Sequence, residues 1–356
     1  MTCAKYALVV AMSPGLPALA CRGAVPQPSG TVVPPTGSPQ LERAPRVVHV
    51  ASAAALITAL RGAQPGDDIV VAPGTYTGSP RLSGDAGAYF FAGADGTAAH
   101  PITVESADAA SAAILQGATT GSHYVLYITG AHWNIKNLKI ATGRKGVMLD
   151  RASHAQITGC EIYNIGEEGV HFRDGSSDGL VEHCHIHDTG VVTPGFGEGV
   201  YIGSDKGKWR STGGAFDPAT DRITIRGSTI GPNVAAEAID IKEGSTATIV
   251  ERCKFLGTGL AGVHSADSFI DVKGNGDIIR DNTANRQGNA MIVDAFQVHQ
   301  RVAGWGQAAR FTGNAIDFDT NTTGFVVNAA GGTSATASNN TRSPAGNLYK
   351  GNVTVL

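Results

Sequence analysis

From about residue 100 onward, apolar and polar positions alternate in short runs broken by Gly, Asn and Asp. A period of two sends successive side chains to opposite faces, so each run reads as a strand. The runs recur. AQITGCEIYN (155–164), GLVEHCHIHD (179–188), DRITIRGSTI (221–230) and TATIVERCKF (246–255) align on one pattern. Cys160 and Cys184 lie 24 residues apart, and Ser228 and Cys253 lie 25 apart. The 44 residues from Cys184 to Ser228 equal one repeat plus an insertion. A repeat of roughly 20–30 residues with two or three short strands and Gly or Asn corners predicts an all-β chain, a right-handed parallel β-helix. The Leu ladder of a leucine-rich repeat is absent.

Register assigns the inward positions. Cys160, Cys184, Ser228 and Cys253 fall in one column, where small residues stack from coil to coil. Stacked parallel neighbours align poorly for a disulfide, so the expectation is a set of buried free thiols. His183, His185 and His187 alternate onto one outward face, which reads either as a solvated face or as metal ligands. An open solenoid end needs a cover. Ser52 is placed to cap a short helix with Ala55, Leu56, Ala59 and Leu60 on its apolar side. The polar, Gly-rich stretch 330–347 is expected to be irregular.

The second strand of each coil carries the chemistry. RKGVMLDR (144–151), EEGVHFRD (167–174), GEGVYIGSD (197–205), AEAIDIKEG (236–244), DSFIDVKGN (267–275) and DAFQVHQ (294–300) align with Val170, Val200, Ile239, Ile270 and Phe296 inward. One outward column is then His171, Tyr201, Asp240, Asp271 and Gln297, and the next is Arg173, Gly203, Lys242, Lys273 and His299. An acidic column of Glu168, Glu198, Glu237, Asp267 and Asp294 runs beside them. A solvated face usually scatters its signs, whereas here acid, mixed polar and base run in rows. The insertion 203–221 leaves the coil beside these rows and brings Lys206, Lys208, Trp209 and Arg210. Trp209 and Trp305 are expected to stack on sugar rings, and Arg173 and Arg210 to bind carboxylates. Trp133 reads as structural.

Composition narrows the classes. The 47 glycines and 6% aromatics of the 356-residue chain suit short strands and tight turns. Net charge is −3 without a basic block, which speaks against nucleic acid as a partner. Residues 1–20 read as a secretory leader, with ALA at 18–20 before Cys21, and a lipid anchor at Cys21 is the alternative to free export. Residues 21–45 read as a Pro-rich linker, and 46–356 as one β-helix domain acting as a monomer. The leader is too short to span a bilayer.

Ordered acids and bases on a groove suit an acidic polysaccharide. β-Elimination of a uronate needs its carboxylate neutralised and a base near the C5 proton. Lys242 is the candidate base: Lys273 one coil away would lower its pKa, while Glu237, Asp240 and Glu243 push the other way unless a bound cation screens them. Lys273, His299 or Tyr201 would serve as acid or carboxylate binder, and His171 and Gln297 would contact sugar. Glu198, Glu237 and Asp240 are candidate Ca²⁺ ligands. Two other classes compete: a glycoside hydrolase using Asp240 and Asp271, and a β-helix that binds glycans without turnover.

The cap and the run E-A-I-D-I-K-E (237–243), followed by I-D-V-K-G (270–274), resemble pectin-lyase-like β-helix proteins, in particular the family 6 polysaccharide lyases, which include alginate lyases and chondroitinase B. The resemblance implies that Glu237 binds Ca²⁺, that Lys242 is the base, and that Lys273 assists as acid where the family has Arg. The family's second nearby Glu falls at Ala235. The strings D-I-K-E-G, D-S-x-x-D-V-K-G-N and Q-V-H also resemble a set of secreted β-helix proteins, which implies one site of Asp240, Lys242, Glu243, Asp271, Lys273, Gln297 and His299.

Overall fold

In the computed structural model, which describes residues 45–356, every third strand pairs in parallel with the one a coil earlier. The result is three long sheets of 12, 10 and 10 strands wound into a right-handed β-helix. The expected leader 1–20, Cys21 and the linker to residue 44 lie outside the described residues. No helix among the described residues is long and apolar enough to cross a membrane.

From the strand Trp133–Lys136 onward, each coil bends between its first two strands at one left-handed residue, followed by one inward residue. His183 (φ 53°) precedes Cys184, Gly227 (φ 58°) precedes Ser228, and Asp281 (φ 57°) precedes Asn282. A left-handed non-Gly residue costs about 1–2 kcal/mol, and the inward residue that follows supplies compensating bonds. Cys160, Cys184 and Cys253 are buried free thiols, as the register requires. The Cys184 and Cys253 thiols lie 3.4 and 3.5 Å from the Ile157 and Ile225 carbonyl oxygens. Below Cys253 the column becomes an asparagine ladder. The Cys253, Asn282 and Asn314 amides donate to Asn282, Asn314 and Asn340 Oδ1 at 2.9, 3.1 and 3.0 Å.

The cap forms as expected at its first turn: Ser52 Oγ accepts from the Ala55 amide at 3.2 Å, and the helix spans Ala53–Arg61. Its buried face is Leu56, Ile57, Ala59 and Leu60, so Ile57 takes the place expected of Ala55, which is exposed. Trp133 is fully buried and donates Nε1–H to the Ala94 carbonyl, in keeping with a structural role. The stretch 330–347 is not irregular. Ala335–Ser338 and Thr341–Ser343 are strands that extend two of the sheets. Ala335 and Ala337 fill the inward positions there, and such small residues look like loop composition in sequence.

The sheet formed by the second strands holds the aligned columns. Val170, Val200, Ile239, Ile270 and Phe296 are stacked inward and fully buried. His171, Tyr201, Asp240, Asp271 and Gln297 are successive register partners on the outer face.

Candidate active site

A groove of about 640 Å³ crosses these strands, with Glu198, Tyr201, Glu237, Asp240, Lys242, Asp271, Lys273, Gln297 and His299 in its lining. Phe196 and Val263–Ser265 border it at the N-terminal ends of the strands. Asp205, Lys208 and Arg301 border it at the C-terminal ends.

Asp240 is the hub. Its two oxygens accept from Lys242 Nζ and Lys273 Nζ, each at 2.7 Å. Lys273 Nζ also reaches Asp271 Oδ2 at 2.5 Å. The repeated Asp-x-Lys therefore makes a lattice across coils in which one carboxylate serves two ammoniums. Burial would raise the Asp240 carboxyl, but Lys242 and Lys273 outweigh it and hold it below its usual range. Burial would also lower both lysines. Asp240, helped by Asp271, outweighs that effect and keeps them above the usual range. Of the two opposing influences on Lys242, the carboxylates prevail over Lys273 in the resting groove. Lys273 is tied to the same carboxylates, so its charge is spent on them before it can act on Lys242.

Tyr201 lies between the lysines and the preceding coil. Lys242 Nζ is 5.0 Å from the centre of its ring. Burial, with Asp240 and Glu198 nearby, pushes the phenol well above its ordinary value and keeps its proton on. Beneath it, the His171 ring packs at 4.5 Å, and His171 Nε2 lies 3.1 Å from the Gly203 carbonyl oxygen. Gly203 occupies the basic column at φ +91°, and an added Cβ would sit 2.6 Å from Ser245 Oγ and 3.2 Å from Lys242 Cβ. A side chain there would displace Lys242. At the other end of the row, Gln297 donates to Asp267 Oδ1 and accepts from His299 Nε2, both at 2.8 Å, which orients His299.

Glu198, Glu237 and Asp240 present oxygens within 4.8 Å of one another. Glu198 Oε2 is buried with no hydrogen-bond partner. Burial first, then the neighbouring carboxylates, pushes Glu198 well up and Glu237 up to about 8. Glu198 and Glu237, whose charge no basic side chain among the described residues pairs with, together with the lysine-bound Asp240 offer hard oxygen donors that fit a cation such as Ca²⁺. One coil earlier the acidic column is already neutralised. Burial would raise Glu168, but His171 and Lys145 hold it at about 2.

Several expected sugar contacts lie elsewhere. Trp209 is 9% exposed and donates Nε1–H to the Ser204 carbonyl at 2.8 Å, so it anchors the insertion. Arg173 makes two 2.7 Å bonds to Asp150 and lies 4.0 Å under the Phe216 ring, which covers it. Arg210 pairs with Asp174 and is outside the groove lining. His171 is buried and supports Tyr201 rather than facing the groove. Trp305 is half-buried and outside the groove lining. Glu243 is fully buried, where its Oε1 accepts from the Lys206 amide and fixes the start of the insertion. The two carboxylates of the hydrolase alternative, Asp240 and Asp271, are bridged by Lys273 Nζ, which speaks against that pairing. Phe196 and His264 were not legible in sequence, since they sit on connections without periodicity.

Residues 124–341 match the family described as right handed beta helix region. The crystal structure of an alginate lyase from Paenibacillus sp. str. FPU-7 is similar at 53% identity and a TM-score of 0.82, covering 86% of this chain and 99% of that one. Pectate lyase Pel9A is similar at 12% identity and a TM-score of 0.60, covering 88% and 79%. The GH136 lacto-N-biosidase from Eubacterium ramulus follows at 10% and 0.57, covering 87% and 67%. The last two likenesses speak for the fold alone. A search of curated protein sequences returned no match. At 53% identity over nearly all of a lyase of the same architecture, the chain belongs to the right-handed β-helix family and, within it, to the polysaccharide lyases.

Proposed function

We propose that the substrate is alginate, cleaved by β-elimination outside the cytoplasm. The observation that carries this reading is the convergence of Tyr201, Lys242 and Lys273 on one groove around a single shared carboxylate, Asp240. The alginate lyase similarity favours alginate among uronate polymers. The leader pattern at 1–20 favours export, either free or with lipid on Cys21.

In this reading a uronate carboxylate enters beside the lysines, and Lys273 binds it. The Lys242 amine takes the C5 proton. The C5–H electron pair forms the C4=C5 double bond as the C4–O4 bond breaks. Tyr201 gives its phenolic proton to the departing O4, and the new reducing end leaves. Lys242 rests as an ammonium, so its amine form needs negative charge around Asp240 to be offset. Glu198, Glu237 and Asp240 would hold a Ca²⁺ ion, which supplies positive charge to the substrate carboxylate and to Asp240. Lys208 and Arg301 at the rim suit neighbouring uronates along the chain.

The test is absorbance of the unsaturated product with alginate, pectate, glucuronan and glycosaminoglycans, with Ca²⁺ and with chelator. Signal with alginate supports the reading. Signal with another polymer alone replaces the substrate. New reducing ends without absorbance would overturn the elimination.

A further inference from the structure

On a different sheet from the groove, Glu161, His185 and His187 each offer one ligand atom within 4.8 Å of the others. We propose that these three residues bind a divalent transition metal, Zn²⁺ in the first instance, which staples two adjacent coils. Glu161 and His185 are register partners on neighbouring strands, so a shared ion would tie one coil to the next.

The argument rests on the partners of the rings. His187 Nδ1 lies 2.7 Å from Asp188 Oδ2, and an ionised carboxylate only accepts, so the proton sits on Nδ1. In the neutral ring, Nε2 then carries a lone pair, and it faces Glu161 Oε1 at 3.3 Å. Two acceptors then face each other, and a cation shared between them closes the gap. His185 is set up in the same way: Nε2 lies 3.1 Å from the Gly231 carbonyl oxygen and must donate to it, which leaves Nδ1 as the lone-pair atom. Metal-binding histidines ordinarily have their second nitrogen held by a carboxylate or carbonyl, and both of these do. Asn233 Nδ2 donates to Asp188 Oδ1 at 2.7 Å and fixes the carboxylate, and Tyr163 stacks on the His187 ring at 5.5 Å.

The spacing fits zinc as well. Two ligands at about 2.0–2.1 Å from a tetrahedral ion stand about 3.3–3.4 Å apart, and His187 Nε2 to Glu161 Oε1 is 3.3 Å. Lys139 occupies the other oxygen, Oε2, at 2.7 Å and leaves Oε1 to the ion. Two imidazoles and one carboxylate suit Zn²⁺ and neighbouring ions better than Ca²⁺, which prefers six or more oxygens. A fourth position remains for water.

The experiment is calorimetric titration of Zn²⁺ into the full chain with millimolar Ca²⁺ present to fill the acidic groove. The expected result is one Zn²⁺ per chain and a rise in Tm. His187→Ala and His185→Ala should each abolish that event, and Asp188→Asn should weaken it by about 10–100-fold. Co²⁺ in place of Zn²⁺ should give a tetrahedral visible spectrum that His187→Ala removes. Circular dichroism of each variant checks its fold. Absence of tight binding would overturn the proposal, as would Zn²⁺ binding that survives both histidine substitutions. An imidazolium proton filling the gap instead, seen as a raised His187 pKa by NMR with no response to Zn²⁺, would overturn it too.

Discussion

Asp277 immediately precedes the strand Ile278–Arg280, and its replacement by Asn should stabilise the protein in a pH-dependent way. The side chain is fully buried. Oδ1 accepts from the Thr248 amide at 2.9 Å, while Oδ2 has no partner. Burial is the main effect, and it pushes the carboxyl up to about 7 against the Thr248 bonds that favour the charge. The folded state therefore holds the proton more tightly than the unfolded chain. Its contribution to stability is present below the unfolded pKa and is lost as pH rises from about 4 through about 7. The distance from the ordinary carboxyl value to about 7 corresponds to about 4 kcal/mol at most. Asp277→Asn keeps the acceptor for Thr248 and removes the charge. Wild type and variant should melt within a few degrees of each other at pH 5, and the variant should melt several degrees higher at pH 8.5. The assay is thermal unfolding followed by circular dichroism across that range. A difference in Tm that stays flat from pH 5 to 8.5 would refute the reasoning.

Other consequences follow from the same contacts. Gly203→Ala places a Cβ against Ser245 and Lys242 at φ +91°, so turnover on alginate should fall at least tenfold, by more than a stability loss of about 1–3 kcal/mol explains; steady-state kinetics beside a melting curve separates the two. Asn282→Ala orphans the Cys253 amide and the Val250 carbonyl, at about 1–3 kcal/mol each, and should lower the denaturant midpoint, with Asn282→Ser milder because Ser228 fills the same column. Because Asp240 holds the Lys242 proton on, kcat should climb with pH into the alkaline range, and saturating Ca²⁺ should move that limb to lower pH than chelator does. A kcat that falls as pH rises would exclude Lys242 as the base.

The solenoid was legible because its two periodicities are physical. Alternation separates inward from outward, and the coil length stacks like on like, so Val200, Ile239 and Ile270 could be aligned before any coordinates. The same register placed Tyr201, Asp240, Lys242 and Lys273 together on one strip. What failed depends on contacts that no period encodes. Arg173 sits in the basic column, yet the insertion folds Phe216 over it. Trp209 is flanked by cations in sequence, but its indole turns inward to Ser204. Sequence set Lys273 against the carboxylates around Lys242, but which side prevails depends on Asp240 pairing with both lysines at once. Phe196 and His264 lie on irregular connections, and their place at the groove comes only from how those connections fold back. The C-terminal strands were hidden because Ala, Ser and Thr can fill a narrow inward column as well as larger residues.

The central claim is that Lys242 and Tyr201 carry out an elimination. Its most direct measurement is the initial rate of unsaturated product from alginate, by ultraviolet absorbance, for wild type, Lys242→Ala and Tyr201→Phe at equal folded concentration. Wild type should produce the signal, and each variant should lose it by at least a hundredfold while still binding the polymer. A variant that retains most of the wild-type rate would contradict the assignment of its residue, and wild-type cleavage with no absorbance would contradict the elimination itself.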